Sequence, residues 1–152
     1  VDYAESIEAM KQLADEGVAK TIGISNASVE QIDIARSILG DKLVAVQNQY
    51  SPVYRSTQDT LDYCAKLGLA FVCWSPLGGY RRAVDESKFE PFKQVATKHG
   101  VSYQQVILAW ELAQGDHVFT IPGAHRPQTI LDSLHASELE LSAEEMELLN
   151  RG

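Results

Sequence analysis

The chain of 152 residues carries 21 acidic against 13 basic side chains, a formal charge of -8, and is 45% hydrophobic. That balance predicts one soluble globular domain with room for a sizeable core. It repels a phosphate backbone, and no polybasic run and no apolar run of ~20 residues offers nucleic acid or a membrane a partner surface.

The first predicted helix runs from Asp2 to Glu16, with Ile7, Met10, Leu13 and Ala14 at helical spacing and Gly17 as its stop. Val18 to Ile24 reads as a buried strand. Ser28 with Gln31 three residues on forms a capping box, opening a helix through Ile32, Ala35, Ile38 and Leu39 that ends at Gly40. Leu43 to Val46 is a second strand, Thr57 to Leu67 a helix closed by Gly68, and Leu69 to Trp74 a third strand. Phe89 to His99 is helical up to Gly100. A second capping box, Ser102 with Gln105, starts a helix reaching about Gln114, and His117 to Ile121 is the fourth strand. Thr129 to Leu134 begins the helix behind it, and Ser142 with Glu145 caps a terminal turn. Cys64 and Cys73 lack CxxC spacing and nearby histidines, which favours buried reduced thiols and a cytosolic setting. The N-terminal VDYAESIEAM has neither the basic nor the apolar region of a signal peptide.

Strand and helix thus alternate four times after an opening helix, the pattern of an α/β fold with a parallel sheet. Continuous apolar strands predict cover on both faces, and the choice narrows to an open doubly wound sheet or part of a closed barrel. Both place binding residues just past the carboxyl ends of the strands. Four loops then share one face: Ser25-Asn26, Gln47-Asn48-Gln49, the run from Trp74 to Gly79, and the run from Pro122 to Arg126. Ser25, Asn26 and Gln47 can donate to and accept from a planar carboxamide, or can be simple cap and turn residues. Trp74 could lie on a heteroaromatic ring or belong to the core. Gly78-Gly79 frees backbone amides beside Arg81-Arg82, either for a phosphate or as a plain turn with solvated arginines. His125 and Arg126 open a helix, where the macrodipole disfavours cations unless an anion is bound. No metal-ligand spacing, HExxH or GxSxG occurs. Glu138, Glu140, Glu144, Glu145 and Glu147 read as solvated charge.

GISN, VQNQYSP, WSPLGG and the IPG segment before a helix occur in this order, and with them the chain resembles the C-terminal half of an aldo-keto reductase over residues 2 to 152. The resemblance implies a single domain, half of a (β/α)8 TIM barrel, starting at what looks like the fourth barrel helix. It implies NADP as cofactor, with NAD possible. Ser25, Asn26 and Gln47 would hold the nicotinamide carboxamide, Trp74 would stack on its ring, and Ser75, Leu77 and Gly79 would lie along the pyrophosphate. Gly123, Ala124, Arg126, Thr129, Asp132 and Ser133 fall in the segment that would bind the adenosine and its 2′-phosphate. Gly123 stands where many members carry lysine, Thr129 where arginine is frequent, and Ser133 where asparagine often contacts adenine, leaving His125 or Arg126 as the available cation. Nothing in the chain matches the motifs of the family's catalytic aspartate, tyrosine, lysine and histidine. The expectation is a cofactor-binding half, inactive alone, whose partner is the missing N-terminal half or a second copy in a homodimer. A non-catalytic nucleotide-binding or self-assembling module is the alternative, and an unrelated doubly wound domain, lacking GxGxxG after its first strand, a third. The short loop from Tyr80 to Ser87 predicts fast cofactor exchange.

Overall fold

A computed structural model describes residues 2–79 and 85–151; the Arg81-Arg82 pair and residues 80–84 of the Tyr80–Ser87 loop lie outside the described residues. The elements run α1 (Tyr3–Asp15), β1 (Ile22–Ser25), α2 (Val29–Leu39), β2 (Leu43–Gln49), α3 (Gln58–Leu67), β3 (Ala70–Trp74), α4 (Glu90–His99), α5 (Tyr103–Leu112), β4 (Val118–Thr120), α6 (Pro127–His135) and α7 (Ala143–Asn150). Short 3-10 turns precede β2 and α4 and follow α6.

Local chemistry explains most boundaries. Asp2 caps α1 by accepting from the Ala4 and Glu5 amides, and the capping boxes at Ser28–Gln31 and Ser142–Glu145 are both formed. At Ser102 only half of the predicted box is present: its hydroxyl accepts from the Gln105 amide and donates to Asp132 on α6. The first strand is shorter than its apolar run predicts. Val18 and Ala19 still donate their amides to the Leu13 carbonyl after Gly17 turns at φ 78°, and Val18 is 72% exposed. A helix end consumes residues that would otherwise have extended the strand. The second strand is longer, because the ladder needs backbone groups rather than apolar side chains, so Gln47, Asn48 and Gln49 pair with Val72, Cys73 and Trp74.

All four strands are parallel and stand in sheet order β1-β2-β3-β4. Consecutive parallel strands joined by right-handed crossovers place their helices on one face. The sheet has no strand-order reversal, the switch point a doubly wound site requires. Burial agrees: Ile24, Val46, Phe71 and Val118 form one buried row across the sheet, whereas Ser25, Gln47, Val72 and Phe119 form the opposite row, exposed or half-exposed. The expected cover on both faces is therefore found on one. Polar Ser25 and Gln47 interrupt the apolar alternation where the open face needs them.

The core lies between the sheet and the helices. Ile32, Ala35 and Leu39 of α2, Leu61 and Cys64 of α3, and Val106, Ile107 and Trp110 of α5 bury against it. Full burial of each larger aliphatic or aromatic side chain is worth about 2–3 kcal/mol. Tyr50, just past β2, stacks on Trp110 at 5.4 Å and meets Phe71 edge-on at 6.2 Å. Both cysteines are free and buried, and burial pushes the Cys64 thiol up to about 11. Glu145 departs from the predicted solvated face. It is buried, caps α7 and receives Lys98 at 2.6 Å and His99 at 3.0 Å.

Candidate cofactor site at the strand carboxyl ends

β1, β2 and β3 deliver Ser25, Gln47 and Trp74 to the same end of the sheet, and the residues that follow turn sharply. Asn26 at φ 54° and Ser75 at φ 51° are the non-glycine residues with positive φ among those described. Each stands directly after its strand. Backbone in this region concentrates where surroundings over-determine it, frequently at ligand sites.

The surroundings of Asn26 are explicit. Its amide donates to the Gln47 carbonyl at 3.0 Å, continuing the ladder past the strand end. The next residue, Ala27, is clasped by Asn48, whose Oδ1 accepts from the Ala27 amide at 3.0 Å and whose Nδ2 donates to the Ala27 carbonyl at 2.8 Å. Asn48 is 2% exposed. Trp74 donates its indole N–H to Asn26 Oδ1 at 2.9 Å, pinning a half-buried ring at the end of β3. The Ser25 hydroxyl donates to the Gln47 carbonyl at 2.9 Å.

These bonds assign chemical roles to what remains. The Ser25 hydroxyl has spent its hydrogen and offers lone pairs; Asn26 has spent its oxygen on Trp74 and offers its NH2; Gln47 is exposed with both functions of its amide. Acceptor and donor side by side suit a planar carboxamide, which is both, so the polar set fits the amide end of a nicotinamide.

A second part of the site lies between the ends of β3 and β4. Ser75, Pro76, Leu77 and Gly79 face Pro122 and Gly123 across a cavity of about 360 Å³. The Gly78 amide closes a turn on the Ser75 carbonyl at 3.0 Å with Pro76 inside it. A Cβ at Gly123 would meet no atom within 4 Å, so this wall faces open space. Beyond it Arg126 is exposed at the N-cap of α6 with no side-chain capping bond, and Pro127 follows at the first helical position. Ala124 is exposed; Thr129 and Ser133 are half-buried on α6. Asp132 accepts from Ser102 at 2.6 Å, so its carboxylate ties α6 to α5.

The sequence-predicted residues therefore fall into two groups, Ser25, Asn26, Gln47 and Trp74 around one end of the sheet, and Ser75, Leu77, Gly79 and Gly123 around the cavity, with the α6 residues outside both. Sequence reasoning overlooked Asn48 as the clasp behind Asn26, and Glu111, wholly buried on α5 beneath β4. The signal for Glu111 was a lone acid in the apolar run VILAWELA. Among the described residues no group of three or more His, Cys, Asp or Glu side chains could hold a metal ion, and no helix is long and apolar enough to cross a membrane.

Comparison with known proteins converges on one family. The model of the aldo/keto reductase family matches residues 1–151. The chain is 33% identical to aldo-keto reductase family 1 member A1 of Xenopus tropicalis, over 97% of this chain and 46% of that protein. The crystal structure of a thermostable aldo-keto reductase, Tm1743, superposes with a TM-score of 0.90 at 31% identity, over 99% of this chain and 55% of that one. A mutant of Gox0644 in complex with NADPH superposes with a TM-score of 0.81 at 25% identity, over 97% and 52%. The chain thus spans about half the length of the relatives it matches. It belongs to the aldo/keto reductase family.

Proposed function

We propose that this single domain, residues 1–152, is the cofactor-binding, C-terminal half-barrel of an NAD(P)H-dependent aldo-keto reductase and does not turn over alone. The observation that carries the reading is the set of four side chains, Ser25, Asn26, Gln47 and Trp74, gathered at the carboxyl ends of three parallel strands with their hydrogen-bond roles divided. In it Asn26 NH2 donates to the carboxamide oxygen, Ser25 accepts from the carboxamide NH2, Gln47 completes the clamp, and Trp74 supplies a flat, fixed face for the ring. Ser75, Leu77, Gly79 and Gly123 line the path of the pyrophosphate. Ala124, Arg126, Thr129, Asp132 and Ser133 face the adenosine, with Arg126 as the cation for a 2′-phosphate and NADP the preferred cofactor over NAD. Bound NAD(P)H supplies a hydride.

Reduction of a carbonyl also needs a proton donor, usually a tyrosine activated by a lysine or histidine. Among the described residues no tyrosine hydroxyl is hydrogen-bonded to a lysine or histidine, and Tyr54, exposed on the cavity it shares with Asn26 and Trp74, makes no side-chain hydrogen bond. Tyr50 donates to Gln58 and Tyr63 to Asp33, the Tyr3 hydroxyl is enclosed without a partner among the described residues, and Lys93 lies over the ring of Tyr103 at 6.0 Å. This supports a division in which the proton donor belongs to a complementary half.

Titration with NADPH and NADH, followed by tryptophan fluorescence, tests the reading. Trp110 is fully buried and gives a constant background. Saturable quenching is expected, lost in Trp74→Phe, with Arg126→Ala weakening NADPH by about tenfold and NADH little. A folded chain that binds neither cofactor overturns it. One observation favours the alternative of a self-assembling module: Phe119, 52% exposed on the open sheet face, lies in a chain whose α6 exposes Ile130, Leu131 and Leu134.

A further inference from the structure

Glu111 takes no part in the reading above, yet it is 0% exposed. Its Oε2 accepts a 2.7 Å hydrogen bond from Thr120 Oγ1, while its Oε1 is enclosed and meets no partner among the described residues. Thr120 ends β4. The next residue, Ile121, donates its amide to the Cys73 carbonyl at 3.2 Å, so the carboxyl is bonded to the strand end that is itself laced to β3. One residue further, Pro122 and Gly123 form one wall of the 360 Å³ cavity, opposite Ser75, Pro76, Leu77 and Gly79.

A neutral carboxyl is tolerated in such a place. An ionised one, with a single hydroxyl donor, leaves most of its lone pairs unmet in a medium that penalises charge. Burial raises its proton affinity well above the ordinary carboxylate range, and the Thr120 hydrogen bond opposes this weakly. Among the described residues no cation from the packed elements compensates. On α4, Lys93 pairs with Glu90, and Lys98 and His99 engage Glu145; on α6, Asp132 accepts from Ser102; Glu138 in the following turn is exposed. His117 bonds the Leu61 carbonyl, and Arg55 bonds the carbonyls of Leu149 and Asn150. The groups that feel the carboxyl are the Cys73 thiol and the Tyr50 phenol, both kept neutral by their own burial.

We propose that Glu111 is a positioning residue, a proton-controlled brace: while neutral it stays sealed beneath Thr120 with the Ile121–Gly123 wall of the cavity closed over it, and when it gives up its proton the buried charge draws water into the seam and parts that wall, although the Thr120 hydrogen bond itself strengthens. The consequence for NADPH rests on the cofactor reading of the cavity; the brace itself belongs to the chain without ligand.

The test is an NMR titration of the ligand-free 152-residue chain, following the Glu111 carboxyl carbon, assigned by its loss in Glu111→Gln, together with the backbone amides of Ile121 and Gly123. The expected result is one shared midpoint, well above the ordinary carboxylate range, in the wild type and flat amides in Glu111→Gln. Above that midpoint, exchange of the Ile121 amide accelerates about tenfold beyond its chemical rate. Thr120→Val raises the midpoint further by removing the one donor, and with the wild type it decides the matter should Glu111→Gln fail to fold. A carboxyl titrating near pH ~4, or amides that ignore it, overturns the brace. NADPH titration across the same range separates the two claims. Affinity that falls about tenfold across the midpoint in the wild type but not in Glu111→Gln supports the brace as a control on the cavity. Coupled amides in a chain that binds no NADPH uphold the brace and refute the cofactor reading, whereas tight binding that is flat across the midpoint overturns the brace's control of the cavity.

Discussion

Asn48 shows how a buried amide can be structural and still shape a candidate site. Both of its polar atoms are matched by Ala27, and Ala27 follows Asn26, whose backbone is left-handed and whose side chain belongs to the proposed clamp. Asn48→Leu would keep the volume and leave a buried amide and carbonyl unpaired, an expected loss of about 2–4 kcal/mol in urea denaturation. The Trp74 emission should shift as its bond to Asn26 loosens. Glu145 makes a pH prediction. Hydrogen bonds from Lys98, the Ser142 amide and His99 hold its carboxyl down at about 2, below the unfolded value of about 4.3. Its contribution is therefore fully present above about pH 4.3 and disappears as pH falls toward 2. Glu145→Gln should cost on the order of 1–2 kcal/mol at neutral pH and flatten the acid limb of the stability profile, as read by thermal melts. Neither role could be read from sequence. Glu145 sits in the acidic run AEEMELL, where the other acids, Glu144 and Glu147, are indeed exposed, and only the approach of α4 selects it for burial.

Helix signals carried further, because they are local. Ser28 with Gln31 and Ser142 with Glu145 close on themselves within one turn, so four residues of sequence contain the whole interaction. Gly68 is as local: it ends α3 at φ 69°, and a methyl group placed there would meet nothing within 4 Å. Gly68→Ala then carries a pure backbone penalty of about 1 kcal/mol, seen as a melting temperature lower by roughly 2–4 °C. Strand ends were less readable. β2 continues through Gln47, Asn48 and Gln49 because β3 offers partners, and those partners lie more than 20 residues away in sequence. β1 loses Val18 to the helix before it for a reason equally invisible to hydropathy, two amides returning to Leu13. The candidate side chains were picked out because they stand at strand ends, and their hydrogen-bond roles emerged only from their neighbours.

Across the molecule, alternation of strand and helix fixed a parallel sheet, while the uncovered face had to wait for the strand order. Phe119 on that face, Ile121 after it, and Ile130, Leu131 and Leu134 on α6 are exposed, apolar side chains that association would remove from water. Sedimentation should show mass rising with concentration, and Phe119→Lys combined with Leu134→Lys should hold the chain monomeric with an unchanged far-ultraviolet spectrum. Equal self-association in wild type and variant would place the contact elsewhere.

The sheet order has one more outcome. β1 and β4 are its two margins, and in a parallel sheet the two margins are not alike. Joining like to like, β1 to β1 or β4 to β4, relates two copies by a two-fold axis and makes the joint antiparallel, so growth stops at one seam for each kind of margin. Joining β4 to β1 keeps every strand parallel and repeats from copy to copy. Such a joint either comes full circle, when two copies supply eight strands, or winds on as a filament. The curvature of four strands thereby becomes a counting device for the assembly.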